Sequence, residues 1–184
     1  MKSRAPGCTV QALCLIRKEV AVSNIHTVIG IDPGLVHTGV VRIQFDSTSK
    51  TLTVDSTVID GPDAKAVWHW IYMSTTSPVV FIEKYVPRQR YGTDERMVKA
   101  EAAFITQIPH AKVIRNTGAK QVVTQDLMQV LGVWTFNTPT HHQDLRAAAR
   151  ILLYGMMKDK HLNHVLADVI HDELDGHGWT KETA

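Results

Sequence analysis

Between residues 28 and 32 the chain reads Val-Ile-Gly-Ile-Asp, and no other run constrains the fold as tightly. Four residues with aliphatic side chains or none suit a strand covered on both faces. Asp32-Pro33-Gly34 then turns the chain, and a Thr38-Gly39 pair opens the next β-like run. A carboxylate placed just beyond a doubly covered strand escapes burial yet inherits a rigid mount. The pattern recurs at Val79-Val80-Phe81-Ile82, which runs directly into Glu83. A third acid, Asp144, follows His141 by three residues in a helical stretch. Strand-end carboxylates are common singly. Three that converge point to a divalent cation and phosphodiester chemistry.

The remaining pattern supplies a setting for them. Sequential strands are expected over about 27–32, 38–46 and 51–59, with Asp46-Ser47-Thr48-Ser49-Lys50 as a hairpin-type turn. Gly61-Pro62 breaks the chain before a helix over 63–74, where Ala64, Val67, Trp68, Ile71 and Tyr72 keep the spacing of one buried face. A fourth strand covers 79–83, and a polar loop rich in Arg and Tyr covers 84–92. Thr93 reads as the N-cap of a helix whose inward stripe is Met97, Ala100, Phe104, Ile105 and Ile108. Lys112–Arg115 gives a fifth strand, and one helix over 118–131 stops at Gly132. Thr138-Pro139-Thr140 starts an Ala-rich helix to about Met157, since Pro suits a first turn. Leu162, Val165, Leu166, Val169, Ile170 and Leu174 mark a last amphipathic helix. Three meandering strands followed by alternating helices and strands imply a mixed sheet with helices on its faces.

Size and charge leave room for one domain. The chain has 184 residues, 44% hydrophobic and 21% charged, with a net charge of +2, so bulk charge does not announce nucleic acid. Its distribution says more. Lys84, Arg88, Arg90, Arg96 and Lys99 face only Asp94 and Glu95, whereas acids dominate from residue 158 onward. A basic middle and an acidic tail are compatible with one DNA-facing surface. Cys8 and Cys14 fit neither a redox pair nor a four-ligand zinc site, which suits a reduced, cytoplasmic setting. Lys2 and Arg4 precede a partly apolar run, but Pro6-Gly7 and Arg17-Lys18-Glu19 argue against a signal peptide. No run approaches the roughly 18 apolar residues of a membrane span.

In a helix, residues three apart share a face, so His141 and Asp144 can point at one ion while His142 points elsewhere. Asp32, Glu83, His141 and Asp144 then offer three hard carboxylates and one imidazole, suited to Mg²⁺ with Mn²⁺ as an alternative. Two ions about 3.5–4 Å apart would activate a water and steady the departing oxygen. Asp32, on the most constrained mount, is the natural bridging ligand. In the loop, Lys84, Arg88 and Arg90 are candidates to neutralise phosphates, and Tyr85 or Tyr91 to stack on an unpaired base.

Ile29-Gly30-Ile31-Asp32-Pro33-Gly34 with Thr38-Gly39, Ile82-Glu83 and His141-x-x-Asp144 resemble the RuvC family of Holliday junction resolvases, nucleases of the RNase H-like superfamily. The resemblance covers about residues 26–157, leaving 1–25 as an N-terminal extension and 158–184 as a C-terminal helix and tail. It implies an α/β fold with a mixed five-stranded RNase H-like sheet, three antiparallel strands then parallel ones. It also implies a homodimer, Mg²⁺ dependence and paired nicks across a four-way DNA junction. Lys120 resembles a lysine that the family places near DNA. The chain departs from the pattern where Asp144 is followed by Leu145-Arg146 rather than Ala, and where Tyr85 is offset from the family's stacking aromatic. Such divergence resembles a bacteriophage or otherwise atypical member. A nuclease for flaps, forks or RNA–DNA hybrids would need the same carboxylates. An actin- or hexokinase-like nucleotide binder also begins Asp-x-Gly after a strand, but needs a second half and a longer chain. An inactive DNA-binding module has no use for surplus buried carboxylates.

Overall fold

A computed structural model of the chain describes residues 25–74, 77–87, 93–138 and 140–183. Among these, six strands form one sheet in the order β5-β4-β1-β2-β3-β6. Strands β1 (Ile25–Asp32), β2 (His37–Asp46) and β3 (Thr51–Asp60) form an antiparallel meander. Beyond helix α1 (Ala64–Ser74), β4 (Val79–Glu83) pairs parallel to β1, and after α2 (Glu95–Gln107) β5 (Lys112–Ile114) pairs parallel to β4. Short helices α3 (Ala119–Val122) and α4 (Gln125–Val130) precede the long α5 (His142–Lys158) and α6 (Asn163–Leu174). The final strand, β6 (Thr180–Thr183), lies parallel to β3. This is the expected mixed, RNase H-like arrangement with one strand more than five.

The two-residue period of β1 and β4 assigns each side chain to a layer. Val28 and Phe81 face the layer built by α5, α6 and α4, with Phe45, Leu152, Leu166 and Met128. Ile29, Ile31, Val80 and Ile82 face the opposite layer, with Val67 and Ile71 of α1 and Phe104 of α2. Each such side chain taken from water contributes about 1.5–3 kcal/mol. Continuing the alternation puts Asp32 and Glu83 on the α5 side. The parallel register pairs Ile31 with Ile82, so the two acids are the next neighbours at the same sheet end.

Helix α5 lies on that face because glycines let it. A methyl group on Gly30 would stand 2.2 Å from the Ala148 carbonyl oxygen, and one on Gly39 2.4 Å from that of Asp144. Gly155 returns the accommodation from the helix side, where a methyl would lie 2.5 Å from the Phe81 ring.

Several elements differ from the sequence pattern for identifiable reasons. The helix expected over 118–131 is two, because the Thr124 hydroxyl accepts from the Leu127 amide (3.3 Å) and starts a new helix there. Asp94, not Thr93, caps α2, accepting from the Arg96 amide at 3.0 Å. Helix α5 begins at His142, so Thr138 and Thr140 precede it, and Pro139 lies outside the described residues. In α1 the buried residues are Ala64, Val67 and Ile71, while Trp68 and Tyr72 pack on each other (5.1 Å) and stay over a third exposed. Ile105 of α2 is likewise exposed. The N-terminal extension up to residue 24, with both cysteines, also lies outside the described residues.

The C-terminal segment continues past its amphipathic helix. Trp179 is buried against Phe45, its indole nitrogen donates to Asp172 (2.9 Å), and Lys181 pairs with Glu173 (2.9 Å). Those anchors carry β6 onto the sheet edge, and Val165, Leu166, Val169 and Trp179 join the α5-side core. No helix among the described residues is long and apolar enough to cross a membrane.

The glycine contacts predict a stability test. Gly30→Ala should cost about 1–3 kcal/mol by overpacking, read as a lowered urea midpoint at unchanged slope. Gly178→Ala, whose nearest new contact is 3.9 Å away, is the control and should stay near the parent. A Gly30→Ala protein as stable as the parent would contradict the close approach of α5.

Candidate active site

The strand ends and the first turn of α5 meet over one crevice. A cavity of about 490 Å³ is lined by Asp32, Glu83 and Asp144 together with Asn116, Lys120, Gln143, Arg146 and Arg150. A neighbouring cavity of about 560 Å³ shares Asp32, Glu83 and Asn116 and extends past Lys84, Tyr85 and Met97 toward α2. The three carboxylates thus border one continuous depression, Asp32 at its centre.

Asp32 is in an unusual electrostatic state. Burial pushes its carboxyl up to about 8, helped by the charge of Glu83, by a side-chain hydrogen bond with Glu83, and by the charge of Asp144. Desolvation and like charges both disfavour an ionised carboxylate, so Asp32 holds its proton well above the usual carboxylate range. Glu83 is held from its other side by Asn116, whose amide nitrogen donates to Oε1 at 2.7 Å. Residue 116 lies just past β5, so the adjacent parallel strand supplies that support.

His141 approaches Asp144 differently from the expected helical pairing. It is the N-cap of α5 in a left-handed conformation (φ 64°), outside the helix proper. Its Nδ1 nonetheless lies 3.4 Å from Asp144 Oδ2. Nδ1 of His142 is buried without a hydrogen-bond partner among the described residues. Behind His141 stands His37, ring to ring at 4.2 Å and nearly edge-on, with its own Nδ1 3.3 Å from Asp60.

The four expected residues therefore occur as two contact pairs, Asp32–Glu83 and His141–Asp144, linked by the charge of Asp144 acting on Asp32. Among the described residues no three His, Cys, Asp or Glu side chains close around a single point. The donor set itself fits a hard divalent cation. It is rich in carboxylate oxygen, and it holds a proton where uncompensated negative charge accumulates.

The DNA-contact candidates fare unevenly. Lys84 and Tyr85 line the larger cavity. The Tyr85 hydroxyl accepts from the Asp94 amide (3.0 Å), and its own amide donates to Glu101 (2.9 Å), so the ring braces the α2 cap. Arg88, Arg90 and Tyr91 lie outside the described residues. Lys120 borders the smaller cavity, exposed, on α3.

Asn116, Arg146, Arg150 and His37 join the site without having been expected from the sequence. Asn116 and His37 carry no spacing signal. The arginines do: four apart, they share a face of the helix that bears Asp144.

No protein-family model and no curated protein matches the chain. Solved structures do. Thermus thermophilus RuvC in complex with a Holliday junction substrate is 16% identical, with a TM-score of 0.51 over 72% of this chain and 96% of that one. The yeast mitochondrial Holliday junction resolvase Ydc2 is 12% identical, with a TM-score of 0.49 over 77% of this chain and 82% of that one. The fowlpox virus resolvase is 15% identical, with a TM-score of 0.42 over 71% of this chain and 96% of that one. The likeness to the Thermus structure establishes the fold as RNase H-like.

The crevice predicts a pH dependence. The folded chain binds the Asp32 proton more tightly than the unfolded chain, whose carboxyl sits near 3.8. That stability is complete below about pH 4 and is lost as pH rises toward 8, by up to about 1.4 kcal/mol per unit. Denaturant titrations without divalent cations should show Asp32→Asn gaining on the parent across this window. Parallel curves would refute the assignment.

Proposed function

We propose that the chain is a divalent-metal-dependent endonuclease that nicks branched DNA, four-way junctions foremost, and works as a symmetric dimer. The observation that carries this reading is the meeting of Asp32, Glu83 and Asp144 in one crevice that Lys120, Arg146 and Arg150 also line. Acids and bases lining one crevice suit a site that takes a cation and a phosphodiester together. A sheet of the same fold serves the RuvC of Thermus thermophilus, which was solved with a Holliday junction substrate.

On this reading residues 26–157 form the catalytic unit, and Asp32, Glu83, Asp144 and His141 hold one or two Mg²⁺ or Mn²⁺ ions. When bound, the cation supplies Lewis acidity and a water of lowered pKa. Everything else falls to the protein. Asp32 would have to give up its proton for a cation to be held there, so affinity would rise with pH. Asn116 fixes one oxygen of Glu83 and leaves the other toward Asp32. His141, braced by His37, orients the Asp144 carboxylate at the mouth of the crevice. Lys84, Tyr85 and Lys120 border the depression, and together with Arg88, Arg90 and Tyr91 they serve as DNA contacts. A two-fold dimer answers the substrate's symmetry, because paired nicks need two identical sites.

The test incubates the protein with four-way, forked, flapped and RNA–DNA hybrid substrates in Mg²⁺ or Mn²⁺. The parent should nick the four-way junction in opposed strands. Asp32→Asn should lower the rate by about 10³-fold or more, matching the several kcal/mol typical of metal catalysis, while junction binding stays within a few-fold of the parent. An Asp32→Asn protein that cuts at the parental rate would end this reading, and a preference for hybrids would replace the substrate.

A further inference from the structure

One face of α5 lines the crevice beside the carboxylates. Gln143, Arg146, Ala147 and Arg150 of α5 keep the i, i+3, i+4, i+7 spacing, and all four line the 490 Å³ cavity. Both arginines are half-buried and fixed at their stems. Arg146 donates from Nε to the Trp134 carbonyl oxygen at 2.8 Å, and its guanidinium lies 3.9 Å above the Trp134 ring centre. Arg150 donates from Nε to the Val123 carbonyl oxygen at 3.3 Å.

Stem fixation of this kind orients the terminal amino groups without neutralising them. Among the described residues neither guanidinium has a carboxylate within salt-bridge distance, although the charge of Glu83 reaches Arg150. The two cations oppose each other electrostatically: burial and the charge of Arg146 both lower Arg150. A fold seeking only stability gains nothing by holding two like charges half-buried on one helical turn. An anion placed between them relieves the repulsion, and a planar guanidinium fork matches phosphate oxygens in pairs.

We propose that Arg146 and Arg150, with Lys120 at the rim, clamp a phosphodiester of the DNA strand that enters the carboxylate crevice. The clamp rests on the nuclease reading for the identity of that strand and adds the residues that hold it. It gives a role to the Leu145-Arg146 step that departs from the resolvase pattern. The cavity volume accommodates a nucleotide backbone unit, and the clamp shares its floor with Asp32 and Glu83, so a phosphate gripped there lies beside the acids. Because the arginines and Asp144 share α5, their spacing is set by helix geometry rather than by loops.

Fluorescence anisotropy with a labelled four-way junction, in chelator and without divalent cations, measures the clamp apart from cutting. Each phosphate neutralised contributes about −0.9 to the slope of log affinity against log salt. Arg146→Gln and Arg150→Gln should each weaken binding about five- to tenfold and flatten the slope by about one, the expectation for a lost phosphate contact. Arg146→Lys, which keeps the charge but loses the Nε bond and the fork, should retain the slope. Circular dichroism checks folding, and if Arg146→Gln is unfolded the slope of Arg150→Gln decides alone. Parental slopes in the folded Gln variants would overturn the clamp, even in a protein that cuts junctions. Flattened slopes in a protein that cuts no DNA would uphold the clamp and sink the nuclease reading.

Discussion

The close seating of α5 on the sheet is the contact on which the site depends. Asp144 belongs to the helix, Asp32 and Glu83 to strands, and only the separation of these two layers brings their charges together. A methyl group at Gly30 or Gly39 would intrude within 2.4 Å of the helix backbone, so both positions tolerate hydrogen and little else. The gain from closing that gap is apolar: Leu145, Ala148, Ala149 and Leu152 lie fully buried along the helix. Packing density near that of organic crystals makes this placement stiff. The arrangement of the three acids therefore inherits its precision from hydrophobic contact one layer below.

Charge in the molecule divides into two kinds. Lys112 holds the Asp159 carboxyl below its usual range, and Lys50 with Trp179 does the same for Asp172. These acids are settled by partners and knit the C-terminal segment to the sheet. Asp32 goes the other way, raised by burial and by further acids. Opposite shifts separate structural carboxylates from one that the fold keeps at a cost, and such costs concentrate where chemistry is done. The left-handed backbone of His141, uncommon outside glycine, lies at the same end of the sheet.

Much of this was legible in the sequence because periods and strand ends dictate it. The alternation through Val28–Ile31 and Val79–Ile82 assigns both acids to one face, and an apolar helix led by Asp144 must cover that face. The features that stayed hidden depend on tertiary contacts or on competing local bonds. A threonine hydroxyl at 124 divided one expected helix, and Trp68 and Tyr72 satisfied each other at the surface instead of joining the core. Tyr85, expected to be free to stack, found the Asp94 amide. The strand after Trp179 carries too few apolar residues to announce itself, and is held by ion pairs that no local pattern shows. Asn116 reaches Glu83 from a strand neighbour 33 positions away.

Helix α5 carries both an acid and bases of the crevice. Its first turn presents Asp144 to the crevice, and further round the same helix Arg146 and Arg150 line it too. A helix is the stiffest short mount available, so the offset between negative and positive walls is fixed at about 1.5 Å of rise per residue whatever the loops do. Any motion of α5 shifts both walls together, and the crevice keeps its polarity while its width changes. Loops that mounted the two charges separately would let each drift toward the other and close the gap as a salt bridge. Here Arg146 and Arg150 are each fixed by an Nε bond to a backbone carbonyl, and Arg146 also by the Trp134 ring. Side chains fixed at their stems cannot swing freely toward the acids, so the helix and its hydrogen bonds together set where the positive charges stand.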